Sequence, residues 1–495
     1  MQNKIKLMTQ KNEFSSFFFN IGVLIILLII FFLIFLNTQY PFLWFDEAAT
    51  FWISQGIKVD ALPFTQSGTI KDVIYYNRNL NLDPGGFSLL LHFWSKIDTS
   101  HTFLRILPFT FFVTSQFLFI KIINKRLKNY FIATFFSLSF FLVSNYYSAA
   151  FELRAYSMEL LLVLLCIYFV DKVNVETNNI FILIFSTSIS LLMTGRYSSI
   201  IIVFITIAIL VYKIFSTKSC NKNYAIKTTI LILPSIISSF FVYYQSYIYQ
   251  NKFSEKLHYL KYLNSDLKYL LEFNNIIFII LLILISFIYI KYKKNDFILL
   301  FAITINICFI FLSLIGKYPW DPTSTRCNVI TLPVLVSIIS ISAPKIIPYY
   351  ENNWIKKTTI LSLAIILFSY ANKLTPKYDK PADIYSFLTN YNFVNKPKIF
   401  MDRWSNVSVR YLYEYGNLKE FKKKHSYPSN FKLMSSPKYL NTINKTVAWY
   451  QSEKNMNEIL NYDIIIGPEI AHYTSKKTQN KWMLIDSQLS VFKKK

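Results

Sequence analysis

The sequence contains little charge, little glycine and few cysteines. Charged residues make up 16% of its 495 positions, whereas soluble globular domains are about a quarter charged. Glycine occurs 9 times and cysteine 4 times. No glycine-rich phosphate loop is present, and no cysteine pair has the spacing of a zinc or redox site. These scarcities argue against a soluble enzyme, a nucleotide-binding loop and a disulfide framework.

Apolar and aromatic residues take the place of the missing polar ones. Hydrophobic residues make up 53% of the chain and aromatic residues 18%, and the mean hydropathy is +0.35. The sequence therefore indicates a polytopic α-helical membrane protein with some soluble mass. The net charge of +25 is mostly lysine, which membrane proteins collect on cytoplasmic loops. We therefore expect no nucleic-acid partner.

Apolar runs and lysine-rich loops alternate along residues 17–370. The first run, 17–36, follows three lysines and is predicted to be a retained anchor with a cytoplasmic N-terminus. A long outer loop, 37–102, contains an amphipathic surface helix at 85–94. We predict about eleven spans, ending with the C-terminus outside. After the first, these spans are 103–123, 130–147, 156–170, 180–193, 198–215, 228–247, 275–290, 297–315, 327–342 and 358–370.

The C-terminal residues have a different character. Residues 1–371 are predicted to form the transmembrane domain, and residues 372–495, polar and lysine-rich, a soluble extracytoplasmic α/β domain. Apolar runs typical of strands occur at 398–401, 446–450, 463–466 and 483–485. Runs typical of helices occur at 382–388, 407–413 and 455–460.

The outer loop carries carboxylates close to the membrane. Asp46 and Glu47 follow the first span, and partly buried carboxylates near a membrane often mark a functional site. A partly buried Asp can act as a general base. The alternative is a helix N-terminus, whose dipole acidic residues complement. Asp83, before Pro84 at the start of the surface helix, is predicted either to share this site or to cap the helix.

Cationic residues in other predicted outer loops suit an anionic ligand. Glu152, Arg154 and Tyr156 precede the fourth span; Arg154 either binds phosphate with its planar fork or pairs with Glu152. Lys317 and Arg326 flank a proline-rich loop and either hold a lipid phosphate or extend to the interface. Arg196, in another outer turn, is either a further candidate for the site or an interfacial anchor, and we favour the anchor.

The sequence does not fix a metal site. The five histidines show no ligand spacing, and His92 is expected to pack beside Trp94 on the surface helix. An acidic cluster could bind a divalent cation through oxygen, but nothing sets the number of ligands. A divalent metal is therefore possible and not assigned.

The ordered motifs resemble the GT-C superfamily of membrane glycosyltransferases. The closest similarity is to its bacterial branch related to protein O-mannosyltransferases and the aminoarabinose transferase of lipid A. The motifs span about residues 17–340. They are Trp44-x-Asp46-Glu47-Ala48, Asp83-Pro84 with Leu89-Leu90-Leu91-His92-Phe93-Trp94, Leu104-Arg105-Ile106-Leu107-Pro108, Glu152-x-Arg154-x-Tyr156, and Arg326 with Leu332-Pro333.

The resemblance implies a GT-C-like fold and a reaction. Such enzymes move a sugar from a polyprenyl-phosphate carrier to an acceptor outside the cytoplasmic membrane, with inversion. Asp46 would deprotonate or orient the acceptor hydroxyl, with support from Glu47. Arg154 and Arg326 would stabilise charge on the leaving phosphate. Asp83 matches the second acidic position of the loop, although relatives commonly have His-Pro-Pro there.

The expected setting is a bacterial cytoplasmic membrane, with the C-terminal domain periplasmic or extracellular. The acceptor is a glycolipid, a polysaccharide or a protein. The alternative is a lipid or glycan transporter or flippase without catalysis, which usually has charged or broken helices near the midplane. A glycan polymerase or ligase, and a receptor or scaffold, also remain open.

Overall fold

A computed structural model describes the chain in segments. The described residues are 32, 35, 43–57, 68–80, 83–130, 132–134, 136–137, 152–174, 176–215, 222–253, 273–292, 296–314, 331–346, 399–401, 407–408, 411, 464–466, 482–486 and 491–494. Described helices, in chain order, are α1 (Phe45–Ser54), α2 (Ile70–Leu80), α3 (Gly86–Trp94), α4 (His101–Leu127), α5 (Tyr156–Lys172), α6 (Asn179–Met193), α7 (Tyr197–Phe215), α8 (Lys222–Phe253), α9 (Phe273–Tyr292), α10 (Phe297–Leu314) and α11 (Leu332–Ile346).

The described part of the chain is mostly helical and contains 4 helices long and apolar enough to cross a membrane. These are His101–Leu127, Tyr197–Phe215, Ile226–Gln245 and Phe297–Leu314. Helices are the natural spanning form because they satisfy every backbone hydrogen bond internally. The prediction of a helical membrane protein is confirmed at this level. The total of about eleven spans stays a prediction, since the span at 358–370 and most of those at 17–36 and 130–147 fall outside the described residues.

Some helix bounds differ from the predicted ones. Helix α8 continues to Phe253, past the predicted end at 247, because polar residues can extend a helix beyond the bilayer. Within the predicted span 327–342 the described part is helix α11, which begins at Leu332 and continues to Ile346; Pro333 in its first turn is a favourable start.

The chain divides into two compact units. The first contains residues 1–39, 108–239 and 259–375, and the second contains 40–107, 240–258 and 376–495. The second unit thus combines nearly all of the predicted outer loop with the C-terminal region. The predicted domain boundary at residue 371 stays a prediction.

Helix α5 lies at the core of the first unit. Most of its residues are buried, and it packs against α6, α7, α10 and α11. A second apolar cluster joins α9, α10 and α11 through Leu282, Leu299 and Val334. On α8 and α9 the exposed side chains include Phe240 and Phe287, which suits contact with lipid.

An ion cluster joins helix ends in the first unit. Arg126, in the last turn of α4, contacts Asp171 at 2.9 Å and Asp296 at 3.1 Å. Lys125 also pairs with Asp171, and the Lys213 ammonium donates to the Val170 carbonyl at 2.8 Å. The C-terminal ends of α4, α5 and α7 therefore meet the N-terminal end of α10. The predicted alternation of these four helices across a membrane stays a prediction.

Helices α1, α2 and α3 pack against one another in the second unit. Residues of the C-terminal region complete this core. The Trp52 indole donates to the Val407 carbonyl at 3.1 Å, and the Tyr411 hydroxyl donates to the Thr99 carbonyl at 2.7 Å. The rings of Phe51 and Tyr411 meet edge to face, 5.1 Å apart.

The second unit also contains a four-stranded sheet. The strands are β1 (Ile399–Met401), β2 (Ile464–Ile466), β3 (Trp482–Asp486) and β4 (Val491–Lys494), in the order β1-β2-β4-β3. Strands β1 and β2 are parallel, and β4 is antiparallel to both β2 and β3. Three lie at predicted strand positions, β4 was not predicted, and the predicted strand at 446–450 falls outside the described residues.

Candidate functional site

The first predicted site forms the start of helix α1. Asp46 and Glu47 lie in its first turn, where acidic side chains complement the positive end of the helix dipole. The Glu47 carboxylate accepts the backbone N–H of Trp44 at 3.2 Å, which is the returning half of a capping box. The helix-start alternative is therefore confirmed for this pair, and it is compatible with a functional site.

Glu47 is fixed by a second residue. The Arg105 Nε donates to its Oε1 at 3.0 Å and the Arg105 Nη2 to its Oε2 at 2.6 Å. The Arg105 side chain is 1% exposed and the Glu47 side chain 0% exposed. Both carboxylate oxygens thus accept hydrogen bonds inside the protein. This geometry fixes Glu47 at the start of α1, and its support of Asp46 stays a prediction.

Arg105 completes this arrangement, and reasoning from sequence did not single it out as a site residue. It appeared there only within the Leu104-Arg105-Ile106 motif. The available signal was an arginine in the first turns of an apolar helix, because charged residues in such helices are costly and usually paired. Its partner is 58 positions away in the chain, so the pairing itself was visible only in three dimensions.

Asp46 is the more accessible carboxylate of the two. Its side chain is partly exposed, whereas that of Glu47 is fully buried. Its backbone carbonyl accepts a hydrogen bond from the Thr50 hydroxyl at 2.8 Å. Together with the hydrogen bond from the Trp44 N–H to Glu47, this contact fixes the backbone of the first turn of α1. The turn therefore presents one carboxylate from a rigid backbone.

Asp83 lies in a turn whose backbone is fixed by a hydrogen bond from a neighbouring side chain. The Asn77 amide donates to the Asp83 carbonyl at 2.8 Å, and the Ser88 hydroxyl donates to Asn77 at 3.0 Å. Gly85, not Asp83, is the N-cap of α3, with a φ of 103°. The alternative that Asp83 caps this helix is wrong, because the left-handed cap position requires glycine. Its side chain is partly exposed.

The surface helix α3 faces inward with His92. This histidine is 3% exposed, and its Nδ1 lies 2.7 Å from the Ser54 carbonyl. Its ring contacts Phe93, whereas the Trp94 ring stacks on Phe103 at 4.8 Å. The expectation that His92 packs beside Trp94 is therefore wrong in its partner. His92 ties α3 to the end of α1.

The second predicted site belongs to the first unit and surrounds Tyr156. Arg154 and Arg196 lie with their guanidinium carbons 5.7 Å and 4.8 Å from the centre of the Tyr156 ring. The Arg196 Nη1 pairs with Glu159 at 2.7 Å. Ser198 donates to the other oxygen of this carboxylate. Arg196, interpreted from sequence as an interfacial anchor, is thus part of the cluster around Arg154.

The remaining predicted residues divide between the turn and the rest of the chain. Glu152 is partly exposed, and its carbonyl accepts the Arg154 backbone N–H at 2.7 Å. Lys317 and Arg326 lie outside the described residues. Asp46, Glu47 and Asp83 belong to the second unit, whereas Glu152, Arg154 and Tyr156 belong to the first.

Within the described segments no group of three or more His, Cys, Asp or Glu side chains could hold a metal ion. A divalent metal therefore stays unassigned. In the comparisons with known proteins, no family model and no curated protein sequence matches the chain.

Proposed function

We propose that the protein is an integral-membrane glycosyltransferase. It moves a sugar from a polyprenyl-phosphate carrier to an acceptor hydroxyl outside the cytoplasmic membrane, with inversion at the anomeric carbon. The observation that carries this proposal is the start of α1, where Asp46 is partly exposed beside a Glu47 fixed by Arg105. The family resemblance supplies the donor class, and the glycolipid, polysaccharide or protein acceptor stays open.

In this reaction Asp46 acts as general base. Its carboxylate takes the proton of the acceptor hydroxyl while the hydroxyl oxygen attacks the anomeric carbon from the face opposite the phosphate. The bond between the anomeric carbon and the phosphate oxygen breaks, and polyprenyl phosphate leaves with the electron pair. The proton then passes from Asp46 to water. A positioned base typically contributes about 10²–10⁴-fold to the rate.

The basic residues have the complementary task. Negative charge develops on the leaving phosphate, and fixed cations aimed at it lower the barrier. Arg154 carries this role in the first unit, and Lys317 and Arg326 are assigned to it by the resemblance. Asp83, in a turn held by Asn77, is assigned to substrate binding, with Glu152 and Tyr156 beside Arg154.

The packing of the second unit supports an outer location for the C-terminal region. Trp52 and Thr99 of the predicted outer loop are hydrogen-bonded to Val407 and Tyr411, so loop and C-terminal region share one side of the membrane. With the cytoplasmic N-terminus inferred from lysine placement, that side is extracytoplasmic. We therefore propose that residues 372–495 form an extracytoplasmic α/β domain and that the protein lies in a bacterial cytoplasmic membrane.

The transporter alternative fits the described helices less well. Transporters usually place ionisable or broken-helix features near the midplane. In the described part of the first unit, the ion pairs given above lie at helix ends: Glu159 in the first turn of α5, and Arg126 and Asp171 in last turns. This distribution favours chemistry at a membrane surface.

The test offers purified protein in lipid a panel of polyprenyl-phosphate sugars with candidate acceptors. Release of free polyprenyl phosphate is followed by mass spectrometry. The wild type is expected to release it with one donor, and Asp46→Asn is expected to lose about 10²–10⁴-fold of the rate. Asp98→Asn, an exposed carboxylate of the same loop, serves as control and keeps the wild-type rate. Equal rates for wild type and Asp46→Asn would refute the assignment.

A further inference from the structure

We propose that Arg196 and Arg154 together form a phosphate-binding site around Tyr156. The proposal rests on the proposed function and names a residue that binds the carrier phosphate of the same reaction. The general ligand chemistry is a phosphate oxyanion, which a lipid headgroup or free phosphate can supply.

The two arginines come from different helices and converge on one aromatic ring. Arg154 precedes α5 and Arg196 precedes α7, and both guanidinium groups lie within 6 Å of the Tyr156 ring centre, at 5.7 Å and 4.8 Å. Contact with one aromatic ring restrains both guanidinium groups by cation–π attraction. Planar, pre-oriented guanidinium groups match the geometry of a phosphate.

The backbone adds positive potential at the same place. Helix α5 begins at Tyr156 and helix α7 at Tyr197, and the two helices pack against each other. Their N-termini therefore lie beside the two arginines. A helix N-terminus carries about half a positive charge in its exposed N–H groups, and such termini are favoured anion sites.

The first turns of both helices also contain buried hydroxyl groups. Ser157 and Ser199 are fully buried, and among the described residues their hydroxyls have no hydrogen-bond partner. A buried hydroxyl without a partner is costly, and a bound oxyanion accepts hydrogen bonds from such groups. Two of them in the two converging turns are therefore an independent indication of a polar ligand.

The acidic residues of the cluster leave room for an anion. Glu159 accepts from Arg196 and from Ser198, so both of its oxygens are engaged. A guanidinium has five donors and can hold a carboxylate and a phosphate oxygen together. Glu152 is partly exposed in the turn before Arg154, where water screens its charge. The positive N-terminal ends of α5 and α7 offset the remaining negative charge of the two carboxylates.

Replacing Glu159 distinguishes a phosphate-binding role of Arg196 from a purely structural one, because the two roles predict opposite changes in ligand affinity. If Arg196 only stabilises α5 through Glu159, removing either partner harms the protein equally. If Arg196 binds phosphate, replacing Glu159 with neutral glutamine leaves both arginines in place and removes a competing negative charge. Ligand affinity then rises or stays equal with Glu159→Gln and falls with Arg196→Gln.

The experiment measures equilibrium binding of labelled polyprenyl phosphate to the full-length protein in phosphatidylcholine nanodiscs. Arg196→Gln and Arg154→Gln are expected to weaken binding by about tenfold to a hundredfold each, because each removes charge-assisted hydrogen bonds. Glu159→Gln is expected to bind at least as tightly as wild type. Arg126→Gln, which alters an arginine of the ion cluster at the other helix ends, is the matched control and is expected to bind normally.

The double variant Arg196→Gln with Glu159→Gln guards against misfolding, since two amides replace the ion pair without a buried charge. It is expected to keep the wild-type unfolding temperature and to bind weakly. Wild-type binding by Arg196→Gln or by the double variant would overturn the proposal, as would equal weakening by Glu159→Gln. Competition by inorganic phosphate, by phosphatidate and by unphosphorylated polyprenol identifies the group that the site binds: phosphatidate is expected to displace the probe and polyprenol is not. Displacement by inorganic phosphate as well would show that free phosphate is a second source, and displacement by phosphatidate without it would show that the phosphate must be carried by a lipid. Displacement by polyprenol alone would also overturn the proposal.

This test is independent of transfer. Arginine-dependent phosphate binding without any sugar transfer would refute the proposed function and leave the phosphate site standing. Sugar transfer together with phosphate binding that does not depend on Arg196 would refute the phosphate site and leave the proposed function standing.

Discussion

At the scale of single residues, the two carboxylates at the start of α1 have different environments. Glu47 is buried and paired with Arg105 through both oxygens, whereas Asp46 is partly exposed. A buried charge must be paired to be tolerated, and a reacting carboxylate must reach its substrate. Adjacent positions on one helical turn thus hold a buried, paired carboxylate and an accessible one, and the proposed function assigns the base to the accessible one.

Breaking the Glu47–Arg105 pair should destabilise the protein strongly. Glu47→Ala leaves the Arg105 charge buried without its carboxylate partner, which costs about 3–5 kcal/mol in such cases. The measurement is the unfolding free energy, or the unfolding temperature, in detergent. The double variant Glu47→Leu with Arg105→Met should recover much of the loss, because it removes both charges. If Glu47→Ala unfolds like wild type, the pair does not hold α1.

Asp98 should stabilise the turn before helix α4 in an acid-sensitive way. Its carboxylate accepts the Ser100 hydroxyl at 2.7 Å and the Ser100 backbone N–H at 3.0 Å, and these hydrogen bonds lower the pKa of Asp98 below its ordinary 3.8. A lowered folded pKa means that the stabilisation is present above pH 3.8 and is lost as the pH falls through the folded value.

The measurement is the unfolding temperature of wild type and Asp98→Asn between pH 6 and pH 2. The difference between them should be small, because the carboxylate is exposed and screened by solvent. It should shrink toward the acid end of the range. A difference that grows on acidification would contradict the assignment.

At the scale of elements, the turn between α2 and α3 depends on a glycine. Gly85 has a φ of 103°, and a Cβ there would lie 2.6 Å from the Asn77 amide nitrogen. Asn77 in turn holds the Asp83 carbonyl. The backbone of Asp83, the orientation of α3 and the buried Asn77 amide are therefore coupled through one position without a side chain.

Gly85→Ala should lower stability and disturb this turn. The left-handed backbone alone costs about 1–3 kcal/mol for a residue with a Cβ, and the contact with Asn77 adds to it. Unfolding in detergent measures the effect. Gly86→Ala is the control, because Gly86 is the first residue of α3 and alanine favours helix. Equal stability of the two variants would show that the turn tolerates a side chain.

At the scale of the whole molecule, the chain brings distant segments together within each unit. In the second unit, Tyr411 is 1% exposed and joins the C-terminal region to Thr99 and Phe51. In the first unit, Arg126 joins Asp171 and Asp296. Each contact joins residues that are far apart in the sequence, so it stabilises the arrangement of the elements more than the structure of any one element.

Tyr411→Phe should loosen the attachment of the C-terminal region. The change removes one hydrogen bond and leaves the Thr99 carbonyl unsatisfied, at a cost of about 1–3 kcal/mol. Hydrogen exchange of the full-length protein should show faster exchange in residues 96–101 and 407–411 and little change in α7. Tyr212→Phe, an exposed tyrosine of α7, is the matched control. Unchanged exchange near Thr99 would contradict the attachment.

Much of the fold could be predicted because the position of a membrane helix depends on a short, continuous stretch of sequence. Helices α4, α7 and α10 begin and end within a few residues of the predicted spans, since apolar run length and flanking lysines determine them. Strand β4 was missed because its short Val491–Lys494 stretch is half lysine and pairs only through distant partners.

The sequence by itself determined the helical membrane class, the positions of most described helices and the choice of Asp46, Glu47 and Arg154 as candidates. Only the tertiary structure decided that Glu47 is locked by Arg105, that Gly85 rather than Asp83 caps α3, and that Arg196 joins Arg154 at Tyr156. Hydrophobic periodicity reports what one segment prefers, whereas ion pairs and ring contacts between segments depend on how the chain folds back on itself.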